Sequence, residues 1–491
     1  MFVRHAQSAM AQCGALHAGQ RAQARTRVAM TGHDLKMTAH HFDLVIIGAG
    51  SGNSILSPAF DSWRVAIVEE GDFGGTCLNR GCIPTKMLVH AADVAETVRH
   101  ASELGVDAHV DRVRWRDIRD RVFNRIDPIA AGGEDYRTNR CANTTVFKGR
   151  ARFTGAKQIT IGDVVIEGEQ IVIAAGGRPM IPDVPGLAEV PFSTSDDIMR
   201  IDDVPEHLIV LGGGFIANEL AHVFGAFGSK ITLINRGTRL LRAEDDDISQ
   251  RFTEMISKRA GFDVRLATTV RNVSRSGPDI SVELSGGSTV TGDRLLVATG
   301  RVPNTDRLDV AATGLAQHPD GRVMVDEYQR TAAAGIWALG DVSSPHMLKH
   351  VANHESRVVQ HNLLHADSMI ATDHRYVPHA VFTRPQIASV GLTERDARAA
   401  GYDLMIKIQA FGDTAYGWAM EDTTSVCKLI ADRATRRLLG AHLIGPHSAI
   451  LVQQLIQGMT FGRTIDEMGR GQYFIHPAMP EVIENALLGL E

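Results

Sequence analysis

Phe42-Asp-Leu-Val-Ile-Ile-Gly48-Ala-Gly50-Ser-Gly52-Asn53 decides how this 491-residue chain is read. Its first six residues are a short, nearly continuous apolar run, as expected of a strand buried on both faces of a parallel sheet. The run opens directly into closely spaced glycines. A strand, a glycine-rich turn and a following helix together place backbone N–H groups and a helix N-terminus against a pyrophosphate. Gly48, Gly50 and Gly52 are the candidate cradle. The third fingerprint position, which takes Gly or Ala, is Asn53, which puts close helix-to-strand packing in question. Glu69 closes the next apolar run, Arg64-Val-Ala-Ile-Val-Glu69, 21 residues after Gly48, where a carboxylate can accept ribose hydroxyls. An ordinary glycine turn is the bland alternative.

A second such unit lies 164 residues further on, where Leu208-Ile-Val-Leu211 runs into Gly212-Gly-Gly214-Phe-Ile-Ala217 and a helix-like stretch. The ribose position, 23 residues after Gly212, is Asn235, followed by Arg236, Arg239 and Arg242, with no acid closing the strand. A carboxylate would repel a 2′-phosphate and guanidinium groups would bind it, so Arg236 and Arg242 predict a preference for NADPH over NADH. A merely solvated charged face is the alternative reading of these arginines. Two similar strand ends, I-V-I-A-A-G-G-R-P at 171–179 and L-L-V-A-T-G-R-V-P at 295–303, bracket this unit. They read as the inbound and outbound crossings of one domain inserted in another. After about Tyr376 the chain changes to short strand-like runs and one helix over Ala449–Met459, as in an α+β domain.

Composition agrees with several globular domains and excludes some partners. Charged residues are 22% and hydrophobic ones 44%, enough for a sizeable core. With 57 acidic against 51 basic residues the net charge is −6, which leaves no basic excess for nucleic acid or an anionic membrane. No run approaches the ~18 consecutive apolar residues of a bilayer-spanning helix. A water-soluble, cytoplasmic protein with neither partner is expected. Glycine, 47 residues, is enriched, which points to tight turns and backbone-lined ligand sites.

Five cysteines, at 13, 77, 82, 141 and 427, are too few and too irregular for a secreted disulfide scaffold. Cys77 and Cys82 stand close together in Gly74-Gly75-Thr76-Cys77-Leu-Asn-Arg-Gly81-Cys82-Ile-Pro-Thr-Lys86. Their spacing fits neither zinc nor the thioredoxin-like pair, and no metal site is expected. Residues five apart in a regular helix have Cα atoms about 8–9 Å apart, beyond the ~7 Å limit for a disulfide. If they bond, the helix start must be distorted, which Gly81 permits. Two unlinked core cysteines, or a structural bridge, are the alternatives. Near the end stands Gly471-Gln-Tyr-Phe-Ile-His476-Pro477-Ala-Met-Pro-Glu481. A thiol-exchanging enzyme needs a base to hold the attacking sulfur as thiolate and an acid for the leaving one. Glu481 could orient such a histidine, although a lone His is more often structural.

Residues 1–41 are arginine-rich and nearly acid-free, with no apolar core of signal-peptide length. They fit either an organellar transit peptide or, preferred here, translated sequence ahead of a start at Met30 or Met37.

Taken in order, the two turns, the C-x4-C motif, Ala298-Thr-Gly300-Arg-Val-Pro-Asn304, Ala338-Leu-Gly-Asp341 and the His-Pro-x-x-x-Glu ending resemble the FAD-dependent pyridine nucleotide-disulfide oxidoreductases across 42–491. The resemblance implies an α/β fold with two Rossmann-like FAD/NAD(P)-binding domains, the second inserted in the first, and a C-terminal α+β dimerisation domain. In residues, the FAD domain spans 42–178 and 300–375, the NADPH domain 179–299 and the dimerisation domain 376–491. It implies FAD contacts at Gly48, Gly50, Gly52, Glu69, Gly75, Thr76, Lys86 and Asp341, and NADPH contacts at Gly212, Gly214, Ala217, Arg236, Arg242 and Gly300. Lys86 is expected beside the flavin, paired with Glu219. Cys77–Cys82 is expected as a redox-active disulfide, with Cys82 the charge-transfer thiol and Cys77 the interchange thiol. His476, with Glu481, would come from the other subunit of a homodimer, and reducing equivalents would run from NADPH through FAD and the cysteines to a small-molecule disulfide.

Four further runs, at 50–56, 348–364, 415–422 and the ending Glu484–Leu490, are similar to the branch of that family that reduces the disulfide of mycothiol, and Asn53 belongs to that pattern. Asn353, His354 and Tyr416–Trp418 are the expected pocket rim. The stretch Ser57–Arg64 offers only Arg64 where reductases of anionic glutathione carry paired arginines. A glutathione reductase, a lipoamide dehydrogenase or a non-catalytic flavoprotein that uses the cysteines as a staple are the competing readings.

Overall fold

The structure, a computed structural model, describes residues 39–491. The expectation of a start at Met30 or Met37 lies outside the described residues, as does nearly all of the tail. The first strand is His40–Ile47, beginning two residues before Phe42 because His40 and His41 keep register with Ile166 and Glu167. It lies inside a seven-stranded sheet, parallel to Val65–Glu69 on one side and to Val164–Ile173 on the other. Its unbroken apolar sequence has a simple cause. Val45 and Ile47 join the core on one face of the sheet, while Leu44 and Ile46 join a separate core on the other.

The second unit repeats the arrangement. His207–Leu211 sits between Lys230–Ile234 and Arg294–Val297 in a parallel sheet completed by Phe262–Arg265. Leu208 and Val210 go to one core, Ile209 and Leu211 to another. The similar strand ends noted in the sequence meet: Gly177–Pro179 and Arg301–Pro303 form a two-stranded antiparallel ribbon with Arg178 opposite Val302. Chain enters the second unit along one strand of the ribbon and leaves along the other. It then rejoins the first sheet as Ile336–Ala338, parallel to the end of Val164–Ile173. The second dinucleotide unit is therefore inserted in the first.

The C-terminal part is an antiparallel five-stranded sheet in the order His379–Val381, Gln386–Gly391, Arg437–Gly445, Val426–Asp432, Leu404–Ala410. Helices Ser448–Thr460 and Glu481–Leu488 share its core through Leu451, Leu455, Val482 and Ile483. Lys428 ties this sheet to the second unit. Its buried ammonium lies 2.8 Å from Asp245, 2.6 Å from Asp247 and 2.7 Å from Glu394. These three carboxylates outweigh the cost of burial and raise its pKa.

One packing contact matters most for the site. Helix Cys82–Arg99, which starts at a motif cysteine, shares a core with helix Phe215–Ala226, which starts at the second glycine turn; Leu88, Val89 and Ala92 meet it with Leu220, Val223 and Phe224. Each such buried Leu, Val or Phe stabilises the junction by roughly 1.5–3 kcal/mol. No helix among the described residues is long and apolar enough to cross a membrane.

Candidate active site

Both glycine turns, the cysteine segment and the crossing ribbon open on one cavity of about 1740 Å³. The turns are built alike. Gly48, at φ +104°, approaches the Ala174 carbonyl so closely that a Cβ would lie 2.3 Å from its oxygen, and Gly212, at φ +131°, stands in the same relation to Ala298. Glycine is required at both places. A Cβ on Gly214 would meet no protein atom within 4 Å, which leaves room beside the backbone for a pyrophosphate. Gly75, at φ +63°, packs against Gly50, where a Cβ would come within 2.9 Å of its Cα, so the first turn abuts the start of the cysteine segment.

Asn53 does not weaken the first turn. Close packing there falls to Gly52, whose Cβ would lie 2.8 Å from both Ala174 and Ile46 side chains. Asn53 instead faces Arg137, which donates to its Oδ1 at 2.8 Å and its carbonyl at 3.2 Å. The Glu69 carboxylate accepts the N–H groups of Ala49 and Gly71, both at 2.7 Å, and lines the cavity with oxygen lone pairs to spare.

The cysteine segment is broken where a disulfide would need it broken. A short helix, Gly75–Asn79, ends at Arg80–Gly81, and a new helix starts at Cys82. Gly81 fits against Thr76, with space for a Cβ only 2.9 Å from its carbonyl oxygen. The two sulfurs are not bonded to each other in this structure. They share a hydrogen bond that drives them apart in acidity. Bonding to Cys82, with burial, pushes the Cys77 thiol far above its usual pKa. The Cys77 hydrogen bond pulls Cys82 down to about 7 against the effect of burial, helped by a backbone N–H and by the charge of Lys349. Cys82 is therefore the more acidic of the two, and Cys77 holds its proton more firmly.

Lys86 and Glu219 line the same cavity but are not joined as an ion pair, contrary to expectation. The Lys86 ammonium stands 3.7 Å over the ring of Phe382, and the Glu219 carboxylate accepts the Phe382 N–H at 2.8 Å. Both still feel each other. Burial pushes Glu219 up to about 7, against the pull of the Phe382 N–H and Lys86, and burial lowers Lys86.

The remaining expected residues divide into three groups. Thr76, Gly300 and Asp341 line the cavity; burial raises the Asp341 pKa, opposed by Arg301 at 3.8 Å. Ala217 is buried in the core beneath the second turn. Arg236 and Arg242 are exposed at the cavity and, among the described residues, form no ion pair, whereas Arg239 is held by Asp246 at 2.8 Å. His476 lies 3.3 Å from Glu481 and is 68% exposed, and neither residue lines this cavity. Of the expected pocket rim, Asn353 lines the cavity with a buried Oδ1 lacking a protein partner. His354 instead faces His374 and the Asp373 N–H, and Tyr416 and Trp418 are exposed elsewhere. Arg64 is tied to Asp43 outside the cavity.

One residue escaped sequence reasoning. Lys349 begins helix Lys349–Leu364, lines the cavity and donates to the Ser51 hydroxyl at 2.7 Å. Its only signal was a single lysine in the run Leu348–Leu364, whose partner lies 298 residues away.

Residues 42–357 match the family described as pyridine nucleotide-disulphide oxidoreductase, and residues 377–487 its dimerisation domain. The chain is 56% identical over 460 residues to a mycothione reductase of Mycobacterium tuberculosis, covering 91% of this chain and 99% of that one. It is 34% identical over 422 residues to a glutathione reductase of Burkholderia cepacia, covering 85% and 92%. The HOCl-induced flavoprotein disulfide reductase RclA of Escherichia coli superposes with a TM-score of 0.81 at 30% identity, over 91% of this chain and all of that one.

Proposed function

We propose, from the premise that this chain belongs to the pyridine nucleotide-disulphide oxidoreductases, that it uses NADPH to reduce mycothione to two molecules of mycothiol. The chain is a flavin-dependent disulfide oxidoreductase, and its cofactors are FAD and NADPH. The cavity fits both: two glycine cradles, the carboxylate of Glu69 at the first ribose position and the exposed guanidiniums of Arg236 and Arg242 at the second. Asp341, Thr76 and Lys86 would hold the first dinucleotide. When bound, FAD supplies the route by which the electron pair of NADPH reaches the cysteine pair.

The opposite acidities of Cys77 and Cys82 carry the mechanistic reading. Cys77, the less acidic thiol, needs a base, for which we assign His476 of the partner subunit, oriented by Glu481. Its exposure suits that role, as does the exposure of the neighbouring Tyr473 and Ile475, apolar surface that a second subunit would cover. With its proton removed, the Cys77 sulfur attacks one sulfur of the substrate. The substrate S–S bond breaks, one mycothiol leaves with the proton held by the histidine, and a mixed disulfide remains on Cys77. The Cys82 thiolate then attacks the Cys77 sulfur, the second mycothiol leaves and takes up a proton, and Cys77–Cys82 becomes a disulfide.

The substrate assignment rests on the 56% identity to a mycothione reductase, against 34% to a glutathione reductase. Chemistry agrees with it. Mycothiol, N-acetylcysteine joined to glucosaminyl-inositol, has no ionised carboxylate, so its pocket has no use for a buried arginine clamp, and an unpaired buried charge would be costly. Steady-state turnover with mycothione, glutathione disulfide, lipoamide and trypanothione tests it. The highest kcat/KM is expected for mycothione; a value for glutathione disulfide equal to or above it would overturn the assignment.

A further inference from the structure

We infer that Lys349 is a positioning residue for the thiol relay: its ammonium, fastened to Ser51 at 2.7 Å beside the cysteine pair, is the cation that keeps the Cys82 sulfur ionised through turnover. The inference rests on the reading of Cys82 as the thiolate of the pair.

The placement follows from two contacts, Lys349 with Ser51 and Gly50 with Gly75, and the chain that joins them. Ser51 belongs to the first glycine turn, that turn abuts Gly75 through Gly50, and Gly75 begins the short helix that carries Cys77. Lys349 reaches this junction from the start of a 16-residue helix whose other end lies far from the site. The Ser51 hydroxyl fixes the ammonium in one place. Lys349 is half-buried, so its field at the sulfurs is screened less than that of a surface lysine.

Other charges around Cys82 do not supply the same effect. Cys77 donates a hydrogen bond but carries no charge, and Asp341 is an acid that opposes ionisation of Cys82. Glu219, on the helix packed against that of Cys82, is also an acid, and Lys86, one turn along from Cys82, has its ammonium over Phe382. The mutual attraction is visible from the lysine side as well. Burial lowers the pKa of Lys349, opposed by the negative charge of the cysteine pair and by Asp341. A sulfur that must be set free as thiolate each time the cysteine pair is reduced benefits from a fixed positive charge that needs no reorganisation.

The test is the pH midpoint at which the two-electron-reduced holoenzyme loses its long-wavelength thiolate-to-flavin absorbance, in wild type, K349M, K349Q and K349R. Expected is a rise of about one pH unit or more for K349M and K349Q, where an opposite charge has been removed, with the midpoint restored towards wild type in K349R. K349Q retains a hydrogen-bond donor for Ser51 and carries the same expectation if K349M loses its flavin. A second readout is independent of turnover: in a Cys77→Ser background, the pH profile of Cys82 alkylation by iodoacetamide, followed by mass spectrometry, should shift upward by the same amount on adding K349Q. Unchanged midpoints in the charge-removing variants would overturn the inference. A wild-type enzyme without the long-wavelength band would instead overturn the reading of Cys82 on which it stands.

Discussion

Arg239 is held by Asp246 at 2.8 Å, and this pairing separates it from the two arginines that flank it at the second nucleotide turn. Arg239 also donates to the Asp246 carbonyl, so it serves the turn into helix Asp246–Lys258. Arg236 and Arg242 stay exposed at the cavity.

Replacing Arg236 and Arg242 together by Ala should therefore raise KM for NADPH by about 10-fold or more, since the charge-assisted bonds they make to a 2′-phosphate are together worth at least about 1.4 kcal/mol. KM for NADH should change little, because NADH lacks that phosphate. Steady-state kinetics with both coenzymes decides it. Equal effects on the two would make these arginines a solvated face.

His476→Ala should lower disulfide turnover by about 10² to 10⁴-fold, the usual range for one general acid–base group. Reduction of the flavin by NADPH should keep its wild-type rate, because Cys77 rather than the nicotinamide needs that base. Stopped-flow measurement of the two half-reactions separates them. Equal slowing of both would show that the histidine acts through structure.

A pH signature lies where the second unit meets the C-terminal sheet. His379 Nε2 lies 2.7 Å from the Glu244 carboxylate, which also accepts the Ser389 hydroxyl at 2.7 Å. Burial alone would lower His379, but Glu244 outweighs it and the net shift is upward. A histidine raised above its unfolded value of 6.5 contributes its full stability below that pH and loses it as pH rises through the folded value. Wild type should therefore exceed His379→Gln in thermal stability near pH 6, by about 1 kcal/mol after allowance for the histidine's partial exposure. The gap should narrow as pH rises. A gap that is constant or widens with pH would contradict the charged pair.

Much of the fold was legible because its signals are local. The apolar runs at 42–47 and 208–211 are continuous because alternate side chains enter two different cores, a pattern that needs no knowledge of neighbours. Gly81 announced the helix break between the cysteines for the same reason. The hairpin Ala151–Gly155 and Gln158–Ile161 gave no comparable signal, since its strands are short and half exposed. In the site, what escaped notice depends on distant partners. Arg137 reaches Asn53 across 84 residues, and Lys349 reaches Ser51 across 298. Phe382 comes between Lys86 and Glu219, so two opposite charges that read as a pair are each satisfied by a third residue. Charge and type are written in sequence, but which opposite charges touch is settled by packing.

Anaerobic titration of the purified holoenzyme with NADPH tests the cysteine relay most directly. Two electrons per flavin should produce a long-wavelength thiolate-to-flavin absorbance that grows as pH rises through about 7, while most of the oxidised flavin spectrum remains, because the electron pair resides on Cys77 and Cys82 and Cys82 is the thiol that ionises first. The same titration of Cys77→Ser and Cys82→Ser should reduce the flavin itself. A wild-type flavin that bleaches fully with the first equivalent, with no such band, would mean that the two cysteines exchange no electrons with it and that the relay is wrong.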